Sequence, residues 1–221
     1  MWFGDSLMSN TVDSLYIAKQ ARNHNFNVYN GAVYQSVEPL LGCQINSARY
    51  SSGCFATRAA DSLIANRIYD RVINAPFAVG GSLFGDYAEG GAINGRFKVT
   101  HRRLQAVGLT PTSVYCMLGA NDKNAGVGEA PATAALKSII STIRNLGITC
   151  NIFVATHSRF ANANSPAIQA AQASMLDNVT VFSGGDMDSI SSDGYWDGTH
   201  FNADGATSAA ALAVAAITAH P

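Results

Sequence analysis

At 221 residues the chain is long enough for one domain with a substantial core and too short for two comfortable ones. Only 13% of its residues are charged and its net charge is −1, so it lacks the clustered lysines and arginines that a nucleic-acid partner requires. No stretch approaches the roughly 18 uninterrupted apolar residues of a membrane span. We therefore expect a single globular domain over 1–221, with no nucleic-acid partner and no membrane span.

Apolar runs of strand length alternate with helical patterns along the chain. The predicted strands are residues 26–33, 70–79, 113–118, 150–156 and 178–182. The predicted helices are residues 11–23, 55–67, 95–107, 132–146, 165–176 and 203–219. This alternation indicates crossover connections, and it predicts an α/β fold: a three-layer α/β/α sandwich around a mostly five-stranded parallel sheet.

Four short blocks of chemically capable residues follow strand-like runs or precede the last helix: 4–6 (GDS), 80–82 (GGS), 119–122 (GAND) and 197–200 (DGTH). Because the carboxyl ends of parallel strands meet at one edge of the sheet, we expect the blocks to converge. A serine, a histidine with a carboxylate, and backbone or amide donors are the groups that acyl transfer requires. Each block alone also suits a structural role, as a helix cap or a strand-ending turn.

The chain contains, in this order, the motifs FGDSL at 3–7, VGGS at 79–82, GAND at 119–122 and DGTH at 197–200. These motifs and their order resemble those of the SGNH (GDSL-type) hydrolases. The resemblance runs over essentially the whole chain. It implies a flavodoxin-like fold and a serine esterase that needs no metal or other cofactor. The final region is similar to the branch of that family that removes acyl groups from carbohydrates.

The resemblance also implies roles for individual residues. Ser6 would be the nucleophile, His200 the general base, and Asp197 the carboxylate that orients the base. The backbone N–H groups of Ser6 and Gly81, with the side-chain amide of Asn121, would form the oxyanion hole.

The expected function is therefore a carboxylic ester hydrolase that removes short acyl groups, acetyl first, from a small ester or an acylated carbohydrate. The alternatives are a general short-chain arylesterase, a lysophospholipase or thioesterase, and a non-catalytic carbohydrate-binding module. A metal-dependent phosphoesterase using Asp5, Asp122, Asp197 and His200 is disfavoured, because the blocks contain only one histidine.

Four further residues are candidate substrate contacts: Asp5, His157, Tyr195 and Trp196. His157 follows a predicted strand toward the same edge of the sheet, although a structural histidine would fit equally. Tyr195 and Trp196 precede Asp197, where they would either form a stacking wall for a sugar or simply pack.

Cys43 and Cys54 bracket a loop rich in serine and glycine and are a possible disulfide, which would suit an oxidising compartment. Cys116 and Cys150 lie in apolar runs, where free thiols are expected. No signal peptide is visible, and the low charge with abundant Ser, Asn and Thr favours an extracellular or particle-borne protein. The sequence does not define the oligomeric state.

Overall fold

The computed structural model describes residues 1–44 and 52–221. The strands in these ranges are β1 (Trp2–Gly4), β2 (Asn23–Phe26), β3 (Val33–Gln35), β4 (Val72–Asn74), β5 (Ser113–Met117), β6 (Asn151–Thr156) and β7 (Val181–Asp186). The helices are α1 (Phe55–Ala65), α2 (Phe84–Tyr87), α3 (Gly95–Ala106), α4 (Ala120–Asn124), α5 (Glu129–Asn145), α6 (Pro166–Ala173) and α7 (Ala203–Ala219). Single 3₁₀ turns cover Ser6–Met8, Met187–Ser189 and Ser192–Gly194.

The predicted α/β class is confirmed, with a parallel central sheet flanked by helices. Four parallel strands lie in the order β1-β5-β6-β7. A second sheet of three strands has the order β3-β2-β4, with β2 parallel to β4 and antiparallel to β3. A bridge between Trp2 and Pro76 joins the two sheets. Within the described ranges, the central sheet therefore has four strands where five were predicted, and a separate sheet has three.

The central strands place alternate side chains on opposite faces, because side chains along a strand have a period of two. Trp2, Tyr115 and Phe153 pack in a core with residues of α1 and α7. Phe3 and Ile152 pack in a second core with residues of α3 and α5. Each core lies between the central sheet and one layer of helices, so the domain has three layers. No helix in the described ranges is long and apolar enough to cross a membrane.

The helix predicted over 11–23 is wrong. The backbone N–H of Tyr16 donates to the Glu38 carboxylate at 2.6 Å, and that of Lys19 donates to Asp61 at 2.6 Å. Carboxylates from distant parts of the chain accept these N–H groups in place of the intrahelical carbonyls. The backbone of the segment is irregular.

The strand predicted over 26–33 is instead a hairpin. β2 ends at Phe26, β3 begins at Val33, and the N–H of Gly31 donates to the carbonyl of Asn27 at 2.8 Å. Gly31 has φ +76°, a left-handed conformation that glycine adopts without strain. The asparagines and the glycine make this apolar-looking run a turn.

Cys43 and Cys54 do not form the possible disulfide. Both are free thiols, and their Sγ atoms lie 3.8 and 3.5 Å from the same acceptor, the carbonyl oxygen of Met8. Burial raises the pKa of Cys43 to about 12, which keeps that thiol protonated. Cys116 and Cys150 are free thiols, as predicted.

Candidate active site

The carboxyl end of β1 carries Ser6 to the edge of the sheet. Gly4 pairs with Met117 of β5, and a Cβ at Gly4 would collide with the Met117 carbonyl, so this position requires glycine. Asp5 follows, and its Oδ1 accepts the N–H of Leu7 at 3.1 Å. The N-cap of the turn is therefore Asp5, which leaves the hydroxyl of Ser6 free for other contacts.

Ser6, His200 and Asp197 meet at this edge. His200 Nε2 lies 2.9 Å from Ser6 Oγ, and His200 Nδ1 lies 2.7 Å from Asp197 Oδ2. Asp197 Oδ1 also accepts the backbone N–H groups of His200 at 2.7 Å and Thr199 at 2.9 Å. Partial burial opposes ionisation, but these hydrogen bonds hold the pKa of Asp197 below its usual 3.8. An imidazole between a hydroxyl and a carboxylate can accept the hydroxyl proton and remain paired.

Three predicted oxyanion donors lie at or beside the end of β1. On one side, the Val79 N–H donates to the carbonyl of Gly4 at 3.0 Å, and the chain continues to Gly81, whose φ is +79°. On the other side, β5 leads to Asn121 in the first turn of α4.

Within the described ranges, the backbone N–H groups of Ser6 and Gly81 have no acceptor. The Nδ2 of Asn121 is also buried without a partner there. Unpaired donors of this kind can receive a developing negative charge.

Tyr87 ties the strand of the serine to the segment of Gly81, a role that the sequence did not indicate. Its hydroxyl donates to the carbonyl of Gly4 at 2.8 Å and accepts the N–H of Val79 at 3.1 Å. Burial raises the pKa of Tyr87 above its usual 10, so the hydroxyl stays a donor. Tyr87 lies in the glycine-rich stretch 80–94, where no spacing distinguishes it.

Trp196 closes a ring of contacts around the serine and the histidine. Its indole stacks on the imidazole of His200, with centroids 5.6 Å apart and planes 20° apart. Its Nε1 donates to the carbonyl of Thr11 at 3.2 Å, and Thr11 Oγ1 donates to the carbonyl of Ser6 at 2.7 Å. Thr11 was not identified from the sequence, because its contacts depend on a residue 185 positions away.

Three of the four predicted substrate contacts are corrected by their burial. Asp5 and His157 are completely inaccessible, and Tyr195 is 7% exposed. The Tyr195 hydroxyl donates to the carbonyl of Met187 at 3.0 Å, and its ring lies 4.4 Å from the Arg159 guanidinium. Tyr195 therefore packs, which is the alternative that the sequence left open.

Asp122, the residue after Asn121, is buried and holds the first residue of α2. Its two carboxylate oxygens accept the N–H of Phe84 at 3.1 and 3.2 Å. Burial, together with the nearby Asp5 carboxylate, raises the pKa of Asp122 to about 7. Asp5 and Asp122 are buried whereas Asp197 and His200 reach the surface. Nowhere in the described part of the chain do three His, Cys, Asp or Glu side chains gather as metal ligands.

No protein-family model and no curated protein matches this chain. Solved structures do match it. A protein from Arabidopsis thaliana has a TM-score of 0.75 at 15% identity, over 100% of this chain and 98% of its own. A GDSL-like lipase from Parabacteroides merdae has a TM-score of 0.58 at 12% identity, over 97% of this chain and 94% of its own. The chain has the SGNH hydrolase fold.

A third structure with the SGNH fold is larger. It is a carbohydrate acetylesterase from Xanthomonas citri, with a TM-score of 0.65 at 12% identity. The match covers 96% of this chain and 54% of that protein, so this chain spans about half its length. At such identities the likeness is one of fold, and the predicted resemblance is confirmed at that level.

Proposed function

We propose that this chain is a serine ester hydrolase that removes short acyl groups, acetyl foremost, from O-acylated carbohydrates. The observation that supports it most is the contact of Ser6 Oγ with His200 Nε2 at 2.9 Å, backed by Asp197 at 2.7 Å. The Xanthomonas citri acetylesterase of the same fold, which acts on carbohydrates, supports the substrate class.

In the first half of the reaction, Ser6 Oγ attacks the ester carbonyl carbon while His200 Nε2 takes the hydroxyl proton. The carbonyl π electrons move to oxygen, and this oxyanion accepts hydrogen bonds from the N–H groups of Ser6 and Gly81 and from Asn121 Nδ2. Asp197 holds the imidazolium at Nδ1. When the bond to the alcohol breaks, Nε2 gives the proton to the leaving oxygen and an acyl-serine remains.

In the second half, water replaces the alcohol. His200 takes a proton from the water as it attacks the acyl-serine, and the same three donors bind the new oxyanion. Collapse releases the carboxylic acid and returns the proton to Ser6 Oγ.

The surroundings of Ser6 favour a short acyl group. Ser6 is partly exposed and Gly81 is exposed, so the site is open to solvent. An apolar cavity of about 210 Å³, lined among others by Met1, Leu63 and Leu104, lies at the amino ends of the strands. That is the opposite edge of the sheet, so this cavity is not an acyl tunnel for Ser6.

The test is hydrolysis of p-nitrophenyl acetate, butyrate and octanoate, with EDTA present, by the wild type and by Ser6→Ala. We expect rates that fall with chain length, and a loss of about 10³-fold or more in kcat for Ser6→Ala. Ser191→Ala is the matched control, because Ser191 is an exposed serine outside the site, and it should behave as wild type.

Further outcomes of these assays distinguish the proposal from its alternatives. Full activity in Ser6→Ala would remove Ser6 as the nucleophile, and octanoate as the best substrate would favour a lysophospholipase or thioesterase. A wild type inactive on all three esters but binding sugars would favour a carbohydrate-binding module. Acetate release from acetylated xylose at a higher kcat/KM than from ethyl acetate would support the carbohydrate part of the proposal.

A further inference from the structure

The imidazole of His157 is a buried titratable group that the proposed reaction does not use. His157 follows β6, its side chain is completely buried, and neither ring nitrogen has a hydrogen-bond partner within the described ranges. Its Nε2 lies 3.5 Å from Oδ2 of Asp5, the residue before Ser6. That Oδ2 is likewise buried and without a hydrogen bond there. The two unpaired atoms face each other.

The backbone of His157 is firmly held. Its N–H donates to Gln172 Oε1 at 3.1 Å, and its carbonyl accepts from Gln172 Nε2 at 2.7 Å. The same Nε2 donates to the carbonyl of Leu118 at 2.7 Å, so Gln172 joins the ends of β5 and β6. The imidazole therefore projects from a fixed base.

Asp5 organises the turn that carries the serine. Its Oδ1 accepts the N–H of Leu7, and its backbone carbonyl accepts the N–H groups of Met8 and Ser9 at 3.2 Å. The second carboxylate oxygen is the atom that faces His157. A contact there acts directly on the conformation of the turn at Ser6.

The charges around His157 favour an imidazolium. Burial by itself lowers the pKa of His157, but the carboxylates of Asp5, Asp188 and Asp122 outweigh it and raise the pKa above 6.5. Asp188 is already bonded to the Ser158 N–H and hydroxyl, among other donors, and Asp122 to a backbone N–H. Asp5 is therefore the carboxylate with a free oxygen for His157. A buried charge is tolerated when it is paired in this way.

We propose that His157 is a positioning residue: as the partner of Asp5, it locks the turn of Ser6 onto the end of β6 and so aims Oγ at His200. This inference rests on the proposed function. The pair supports the turn of Ser6 from its buried side, and the substrate approaches from the side that faces solvent.

The experiment compares His157→Gln, Asp5→Asn and the double variant with the wild type. Asn caps a turn about as well as Asp, so Asp5→Asn removes the charge and keeps the cap. His101→Gln is the matched control, because His101 is a buried histidine of α3, outside the site. The first readout, hydrogen exchange of residues 5–9, is independent of activity. We expect it to accelerate about tenfold or more in both single variants and to stay unchanged in His101→Gln.

The second readout is ester hydrolysis. Each single variant should lose about tenfold or more in kcat with KM unchanged within twofold. The double variant should lose no more than the worse single variant, because it removes both buried charges together. Losses that multiply in the double variant, or exchange of residues 5–9 as in wild type, would overturn the pairing. Faster exchange with unchanged kcat would overturn the positioning role. If the wild type hydrolyses no ester, the proposed function fails, and exchange alone still decides whether the pair holds the turn.

Discussion

At the scale of single residues, the imidazole of His200 is constrained on three sides. Ser6 Oγ and Asp197 hold its two nitrogens, and the Trp196 ring covers one face. Trp196 is itself anchored by its hydrogen bond to the carbonyl of Thr11. A side chain held in this way fixes the orientation of the imidazole that we propose as the general base.

Replacing Trp196 separates these contributions. Trp196→Phe keeps a stacking ring but loses the hydrogen bond to Thr11, so kcat should fall by about fivefold, the equivalent of one net hydrogen bond. Trp196→Ala loses both contacts and should cost about tenfold or more in kcat. Steady-state kinetics on ethyl acetate and on acetylated xylose measure this. A KM increase in Trp196→Ala confined to the sugar ester would indicate that the indole also stacks on the sugar. Wild-type kcat in Trp196→Ala would contradict the positioning role.

At the scale of elements, the junction between β5 and α4 places the amide of Asn121. Gly119 is the residue before α4 and has φ +139°, a conformation that side chains avoid. A Cβ there would also collide with the carbonyl oxygen of His157. The packing of α4 against the end of β6 therefore requires glycine at this position.

Gly119→Ala should lower the free energy of unfolding by about 2–4 kcal/mol, since it combines backbone strain with a steric clash. Under the proposed mechanism it should also reduce kcat by about 10²-fold, because the Asn121 amide would be displaced from the position proposed for an oxyanion donor. Gly95→Ala is the control, since Gly95 begins α3 and its Cβ would meet open space. Urea unfolding and ester hydrolysis measure the two effects. Equal stability of the two variants would contradict this account of the junction.

At the scale of the whole molecule, the fold buries carboxyl groups such as Asp122 and Glu38. Asp122 has a pKa of about 7 in the folded chain against a usual 3.8, and burial also raises the pKa of Glu38. At pH values between the usual and the raised pKa of such a carboxyl group, the folded chain keeps a proton that the unfolded chain has released. The contribution of these carboxyl groups to stability therefore falls as pH rises through this range.

We expect Asp122 to contribute to the free energy of unfolding of the wild type a term that decreases between about pH 4 and pH 7. Asp122→Asn carries no proton to release and should have a flatter profile. Asp193→Asn is the control, because the hydrogen bond from Ser191 lowers the pKa of Asp193 below 3.8, outside this range. Urea unfolding at several pH values measures the slopes. Parallel profiles for wild type and Asp122→Asn would show that Asp122 does not titrate as described.

Much of the fold was predictable because it depends on local patterns. Five of the six predicted helices are present, the clearest being α5, whose apolar face follows the 3.6-residue period. The blocks at 4–6, 80–82 and 119–122 could be expected at one edge of the sheet, because strand ends in a parallel sheet meet there. The failures at 11–23 and 26–33 came from hydrogen bonds to distant carboxylates and from turn residues.

The order of residues alone indicated which groups are available for chemistry: a serine, a histidine with a nearby aspartate, and amide donors, in an order that resembles the SGNH hydrolases. The folded chain was needed to learn which side chains of the candidate site face solvent and which are buried. It buried Asp5, His157 and Tyr195, and it brought Tyr87 and Trp196 to the site. The spacing of a motif can be read from neighbouring residues. Burial and hydrogen-bond partners depend on residues far apart in the chain, because these residues meet only when the sheet is assembled.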